Sequence, residues 1–169
     1  MYAYWLVINY REAYNMFACN GMGFNHESAT RGREFVTQKI AYGAAAIKKG
    51  LATELFLGNL DAKRDWGHAR DFVEAMWMML QADKPKDYVI ATGEVHSVRE
   101  FCELAFSTLG LDYTKYIRVD DAFKRPSDVE YLCGDYSRIR NELGWRPKTT
   151  FKDLVKEMVE AAMSDQGTK

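Results

Sequence analysis

The sequence has no apolar run approaching the length of a membrane span, no close pair of cysteines or histidines, and almost no net charge. Each shortage excludes something. A spanning helix needs roughly 20 successive apolar residues, so no membrane partner is expected. A metal site of the usual kind needs Cys-x-x-Cys or His-x-x-x-His spacing, and neither occurs. Cys19, Cys102 and Cys133 are odd in number, far apart and set in apolar contexts. They predict reduced, buried thiols in a cytoplasmic protein. With a formal net charge of −1 and Lys and Arg spread along the chain, nothing asks for nucleic acid or an anionic surface. The Gly-rich strand–turn–helix of a complete dinucleotide fold is also missing, since Gly21 and Gly23 fall inside a strand-like run. Residues 1–5 lack a basic n-region and a cleavage site, and so are not expected to form a signal peptide. There is no internal repeat and no low-complexity segment.

What remains is ordinary globular material. The 169 residues are 47% apolar and 28% charged, one domain's worth of chain with enough apolar side chains for a core. Helix-spaced apolar positions alternate with short apolar runs, which argues for an α/β architecture. Ala3, Val7, Tyr10 and Tyr14 make one helical face at the very start. No N-cap precedes Tyr2, so further polypeptide is expected upstream in the complete protein. Residues 16–24 read as a strand. Phe35, Val36, Ile40, Ala44 and Ile47 mark a second helix, with Gly50 at its C′ position. Residues 54–57 are a strand, and 61–65 followed by Trp66-Gly67 a polar link. Ala69, Phe72, Val73, Met76, Trp77 and Leu80 form the clearest helical stripe, expected to face the core.

Residues 87–91 are another strand. Ser97 and Glu100 have capping-box spacing before a helix that stops at Gly110. Residues 116–119 are a strand and 120–130 a loop, in which Pro126 holds Arg125 extended. Asp135 caps a short helix ending at Leu143-Gly144, and Trp145-Arg146-Pro147 breaks the chain. Thr150 and Asp153 open a last helix with Phe151, Leu154, Val155, Met158, Val159 and Ala162 on its face.

The chemistry concentrates at residues 24–32, F-N-H-E-S-A-T-R-G, between a strand and a helix. Asn25, His26, Glu27, Ser28 and Arg31 crowd there, in a chain with three histidines. Loops held between rigid elements are where α/β proteins place binding groups. On chemistry alone a helix-capping loop with a solvated Arg is the plainer reading. Arg64 and Arg125 each follow a turn-like polar stretch and could reach a pyrophosphate with a planar fork, or could simply be exposed. Lys39 reads as a solvated helix residue, and Glu130 as a ribose acceptor or a surface charge. His68, at a helix start, and His96, before the capping box, read as structural. No nucleophile elbow or paired-carboxylate signature is present. The residues suit holding an anionic small molecule better than reacting with it.

Longer blocks carry a resemblance. F-N-H-E-S at 24–28 with Arg31-Gly32, F-V-T-Q-K-I at 35–40 and L-G-N-L-D-A-K-R-D-W-G-H-A-R-D at 57–71 are similar to the GDP-mannose 4,6-dehydratase family. W-M-M-L-Q at 77–81, V-I-A-T-G at 89–93, S-V-R-E-F at 97–101, R-P-S-D-V-E at 125–130 and L-G-W-R-P at 143–147 follow in the family's order. The last block is shared widely among extended short-chain dehydrogenases/reductases; the N-H-E-S and L-G-N-x-D-x-x-R-D-W-G-H blocks are more specific. The likeness covers almost the whole chain.

The resemblance implies the C-terminal half of such a fold. Residues 1–169 would be the last part of a Rossmann domain interleaved with a small α/β substrate-binding domain, without the N-terminal NADP-binding region. It implies a lyase that converts GDP-mannose to GDP-4-dehydro-6-deoxymannose with bound NADP, in deoxyhexose (GDP-fucose) biosynthesis, as a cytoplasmic homo-oligomer when full length. A Tyr–Lys pair, a Thr and a Glu do the proton chemistry in the family. These, with the Gly-rich phosphate loop, belong upstream of the opening helix, so the chain carries no catalytic residue of its own and is expected not to turn over alone. His26 and Arg31 match cofactor contacts. Asn25, Lys39, Asn59, Arg64, Arg125 and Glu130 become sugar-nucleotide contacts. Ala29-Thr30 stand where the family has Pro-Arg, which removes one positive charge from the loop. The competing readings are a non-catalytic remnant that binds a nucleotide sugar or partners another subunit, and a related GDP-sugar reductase or epimerase.

Overall fold

Strands of two or three residues cannot hold a fold by their own ladders, so helix packing and long-range strand pairing carry this one. The computed structural model describes residues 1–123 and 129–165. In chain order its elements are α1 (Tyr2–Tyr14), β1 (Gly21–Gly23), β2 (Asn25–Glu27), α2 (Val36–Lys48), β3 (Leu55–Leu57), β4 (Lys63–Arg64), β5 (Trp66–His68) and α3 (Ala69–Leu80). There follow β6 (Tyr88–Ile90), β7 (His96–Ser97), α4 (Val98–Thr108), β8 (Ile117–Val119), β9 (Tyr131–Leu132), α5 (Ser137–Leu143) and α6 (Phe151–Ser164). Short 3-10 turns lie at Tyr113–Lys115 and Asp121–Phe123.

The pairings are mostly parallel, as the alternating pattern implies. β1 pairs with β6, β2 with β5 and β3 with β8. β4 lies between antiparallel β7 and parallel β9. Parallel partners need a crossover, and here helices supply it: the chain passes through α2 between β2 and β5.

Two apolar cores result. The larger joins α2, α4 and α6 to β3 and β8 through Ile40, Ala44, Phe101, Phe106, Leu154 and Met158. Alanines 41, 44 and 45 let α2 approach its neighbours closely. The smaller core gathers Phe72, Met79, Tyr88, Ile90, Ile139 and Trp145. Capping matches the spacing: Ser97 Oγ accepts from Glu100 N at 3.1 Å, and Glu100 Oε2 accepts from Ser97 N at 2.6 Å. Thr150 Oγ1 accepts from Asp153 N at 3.2 Å. At α5 the N-cap is Tyr136, without a side-chain cap, and the expected Asp135 stands one residue earlier, its Oδ1 accepting from Ser137 N at 2.8 Å. His68 caps α3, its Nδ1 accepting from Arg70 N at 3.0 Å while Nε2 donates to Glu157 at 3.0 Å.

Several expectations are corrected. The strand expected at 16–24 is confined to Gly21–Gly23. Asn25–Glu27, expected as loop, is itself a strand because it finds Trp66–His68, some 40 residues away. That partner and β4 occupy what reads as a polar link. Ala3, Tyr10 and Tyr14 of α1 are exposed; the half-buried side is Tyr4, Val7, Ile8 and Arg11, tied down where Arg11 Nε donates to Ala18 O at 2.7 Å. Of the cysteines, all free, only Cys102 is buried, its thiol pushed up to about 12 by burial; Cys19 and Cys133 are half-buried.

The largest correction concerns α3. Most of its stripe is not core: Phe72 is fully buried as expected, but Val73 is 63% exposed and Trp77 62%, and Met76 and Leu80 are exposed as well. The buried side is Asp71, Phe72, Ala75 and Met79. A polar residue sets this phase. Asp71 Oδ2 accepts from Lys148 N at 3.0 Å and Thr149 N at 2.9 Å, and its carbonyl accepts from Trp145 Nε1 at 3.0 Å. The Trp-Arg-Pro break is thereby pinned to the first turn of α3, and the helix is rotated away from its most apolar face.

Tyr2, Trp5 and Tyr14 of α1 are exposed too, and among the described residues β1 has a strand neighbour on one side only. Open strand edges and apolar patches promote association. The isolated chain is expected to elute above monomer mass in size-exclusion chromatography with light scattering. A monodisperse monomer would contradict this.

Candidate ligand-binding site

Between β2, the first turn of α2 and the segment after β3 lies a cleft of about 290 Å³. β2 supplies Asn25 and Glu27. The 28–35 segment folds back on itself, with Arg31 N donating to Ser28 O at 3.1 Å and Gln38 Nε2 to Ala29 O at 2.9 Å, and brings Arg31 and Phe35 to the rim. Thr37 and Lys39 enter from α2, Asn59 from the turn after β3, Arg64 from β4 and Trp66 from β5. An adjoining hollow of about 420 Å³ is lined by Gly23, Phe24, His26 and Leu132, and Asn25 and Arg31 line both spaces.

Of the sequence-selected residues, Asn25, Arg31, Lys39, Asn59 and Arg64 thus share one cleft, and His26 stands in the next. Glu130 is not among the lining residues; its carbonyl accepts from Lys63 N at 2.8 Å. Arg125 lies outside the described residues.

The electrostatics favour an anion. Arg31, Lys39 and Arg64 face Glu27 and Glu34, leaving the lining one positive charge in excess. The N-terminus of α2 adds to this: Phe35 at the N-cap offers no side-chain cap and the first turn has no acidic residue. The positive helix end therefore stays available to a ligand. Burial pulls the Lys39 ammonium below its ordinary value, and its Nζ sits 3.8 Å from the Phe123 ring centroid. Arg64 is braced by donating to the Lys63 carbonyl at 2.8 Å and to that of Val129. Arg31 Cζ lies 3.4 Å over the Phe35 ring. His26 Nδ1 meets the Phe24 carbonyl at 2.8 Å, so that nitrogen carries the proton and Nε2 is the acceptor when the ring is neutral. The ring stacks on Phe72 at 5.0 Å.

Under the cleft is Asp65, fully buried between β4 and β5. Its Oδ1 accepts from Thr92 N at 2.9 Å and Thr92 Oγ1 at 2.7 Å; its Oδ2 accepts from Gly93 N at 3.0 Å and Gly134 N at 3.1 Å. Its carbonyl takes the Asn25 amide at 3.4 Å. One carboxylate thus fastens the ends of β6 and β9 beneath the site. Among the described residues no three His, Cys, Asp or Glu side chains cluster as metal ligands would.

A sequence profile described as GDP-mannose 4,6 dehydratase matches residues 1–158. The chain belongs to the GDP-mannose 4,6-dehydratase family. It is 54% identical to GDP-mannose 4,6 dehydratase 2 of Arabidopsis thaliana over 94% of its own length and 42% of that protein's. It is 50% identical to GDP-mannose 4,6 dehydratase of Homo sapiens, covering 95% of this chain and 48% of the relative. The chain therefore spans about half the length of the curated relatives it matches. In fold it is similar to RMD from Pseudomonas aeruginosa complexed with NADPH, at a TM-score of 0.85 and 22% identity over 95% of this chain and 52% of that one. The Thermus thermophilus UDP-glucose 4-epimerase in complex with NAD gives a TM-score of 0.78 at 23% identity, covering 96% and 51%. Such neighbours establish the fold alone, an α/β fold of the Rossmann type.

Among the lining residues to which the sequence gives no role, Glu27 and Thr37 bond to each other. Glu27 stands in plain view four residues before Arg31, the spacing of an ion pair on one helix face, but the segment is not a helix. Thr37 carries no signal at all until the fold brings it to Glu27.

Proposed function

We propose that this chain is the C-terminal, sugar-nucleotide-binding part of a GDP-mannose 4,6-dehydratase, and that residues 1–169 combine the end of a Rossmann domain with the small substrate domain. The carrying observation is the convergence of Asn25, Lys39, Asn59 and Arg64 with Arg31 on one cleft of net positive charge. GDP-mannose is a diphosphate ester with ribose and mannose hydroxyls. Arg64 and Lys39 suit its diphosphate, Asn25 and Asn59 its hydroxyls. Arg125 and Glu130 retain the clamp and ribose roles that the resemblance gives them.

His26 and Arg31 are the residues this chain offers to NADP. The hollow they line, about 420 Å³, fits one end of a dinucleotide rather than all of it. A guanidinium fork suits a phosphate, and His26 Nε2 presents an acceptor. When bound, NADP would take up and return the hydride by which GDP-mannose becomes GDP-4-dehydro-6-deoxymannose. This chain's residues bind and orient; the proton-moving groups belong to the other part of a complete, cytoplasmic, homo-oligomeric enzyme. Alone, the chain binds without turnover.

Isothermal titration with GDP-mannose tests this. Measurable binding is expected, weakened about tenfold by Arg64→Ala or Lys39→Ala, the loss of one charge-assisted contact. No heat at millimolar ligand, or dehydration by the chain alone, would overturn it.

A further inference from the structure

Glu27 is the one buried carboxylate of the cleft wall that binding of a dianion does not explain. It is 2% exposed, ends β2 opposite His68, and lines a cavity that otherwise suits anions. A negative charge there opposes the proposed ligand, so its presence calls for a compensating role. We infer that Glu27 is a positioning residue that holds the Arg31 guanidinium at the wall between the two hollows, an inference that rests on the binding function proposed above.

The geometry has three parts. Glu27 Oε2 accepts from Thr37 Oγ1 at 2.6 Å, and Thr37 is itself buried in the first turn of α2. This ties the end of β2 to the start of α2 across the 28–35 segment. The same oxygen lies 3.2 Å from Arg31 Nε, close enough for an ion pair though not aligned as a hydrogen bond. The other side of the guanidinium is closed by the Phe35 ring at 3.4 Å. Arg31 is thus gripped edge and face. No described residue takes a hydrogen bond from its terminal nitrogens, which remain for ligands in the two spaces it lines. A long, flexible side chain ordered before binding loses less freedom when the ligand arrives.

This role and a purely electrostatic one predict opposite signs. Glu27→Gln removes a negative charge beside an anion site, which by charge alone would tighten GDP-mannose. If Glu27 positions Arg31, the same change weakens binding. Titration of the 169-residue chain is expected to show about a tenfold rise in Kd for Glu27→Gln, a partial loss for Thr37→Val, and no further loss when Glu27→Gln is added to Arg31→Ala. Glu27→Asp, which keeps the charge on a shorter arm, should recover part of the affinity. Thermal melts of each variant separate this from unfolding.

A ligand-free readout stands beside it. The Arg31 Nε–H resonance should be resolved and slowly exchanging in the wild type, and should exchange faster in Glu27→Gln and Thr37→Val. If the wild type binds no GDP-mannose, the proposed function fails, and this resonance still decides the role of Glu27. Unchanged exchange, tighter binding in Glu27→Gln, or an equal loss in the Arg31→Ala background would each overturn the inference.

Discussion

Asp65→Ala is expected to remove a large share of the protein's stability. The carboxylate is fully buried and accepts four hydrogen bonds from Thr92, Gly93 and Gly134. Alanine would leave three backbone N–H groups without their acceptor, while the Thr92 hydroxyl could still turn to the Glu94 carbonyl at 3.2 Å. A buried donor left unpaired costs about 1–3 kcal/mol; Gly134 is buried, whereas Thr92 is half-buried and Gly93 exposed, so entry of water would soften the sum. A total of about 4 kcal/mol or more is a large share of the roughly 5–15 kcal/mol that holds such a domain together. Asp65→Asn should lie between alanine and wild type. One amide oxygen can still serve Thr92, but the amide nitrogen would then confront the N–H groups of Gly93 and Gly134. Urea unfolding followed by circular dichroism checks this. A midpoint for Asp65→Ala equivalent to less than about 1 kcal/mol of loss would mean that the network is not what holds these strands together.

The same residue shows why part of the fold was hidden in the sequence. Local rules found what is local. The Ser97–Glu100 box, the Thr150 cap and the face of α6 each depend on residues within a few positions, and each is present. Strands β2, β4 and β5 have no such local basis. Asn25-His26-Glu27 is polar and short, and becomes a strand only because Trp66-Gly67-His68 lies beside it. The N-H-E-S and L-G-N-L-D-A-K-R-D-W-G-H blocks therefore stood out as motifs before they could be recognised as a pair of strands. The site residues were legible by chemical type, two forks, an ammonium and two amides, and the fold gathers these five of the eight in one cleft. Glu27 and Thr37 were not legible in their role, because the contact that defines it crosses ten residues of non-helical turn.

Phe72→Ala should cost about 3–5 kcal/mol, while Trp77→Ser, five residues along the same helix, should fall within about 0.5 kcal/mol of wild type. A helical stripe drawn on the sequence treats the two alike. In the fold Phe72 is fully buried and Trp77 is 62% exposed. Phe72 is also where the smaller core meets the candidate site: its ring stands edge-on to Trp145 at 6.3 Å and stacks on His26 at 5.0 Å. Gly67 makes room for it, since a Cβ there would come within 2.4 Å of Phe72 Cε2. Gly67→Ala alone is therefore destabilising. Combined with Phe72→Ala it should cost less than the sum, because the clash with the ring is gone and only the tight approach to Thr92 Cγ2 at 3.0 Å remains. Urea midpoints for the two single variants and the double variant give the coupling directly. Additive losses would place Gly67 and Phe72 out of contact. A Trp77→Ser loss matching that of Phe72→Ala would restore the apolar stripe of α3 to the core.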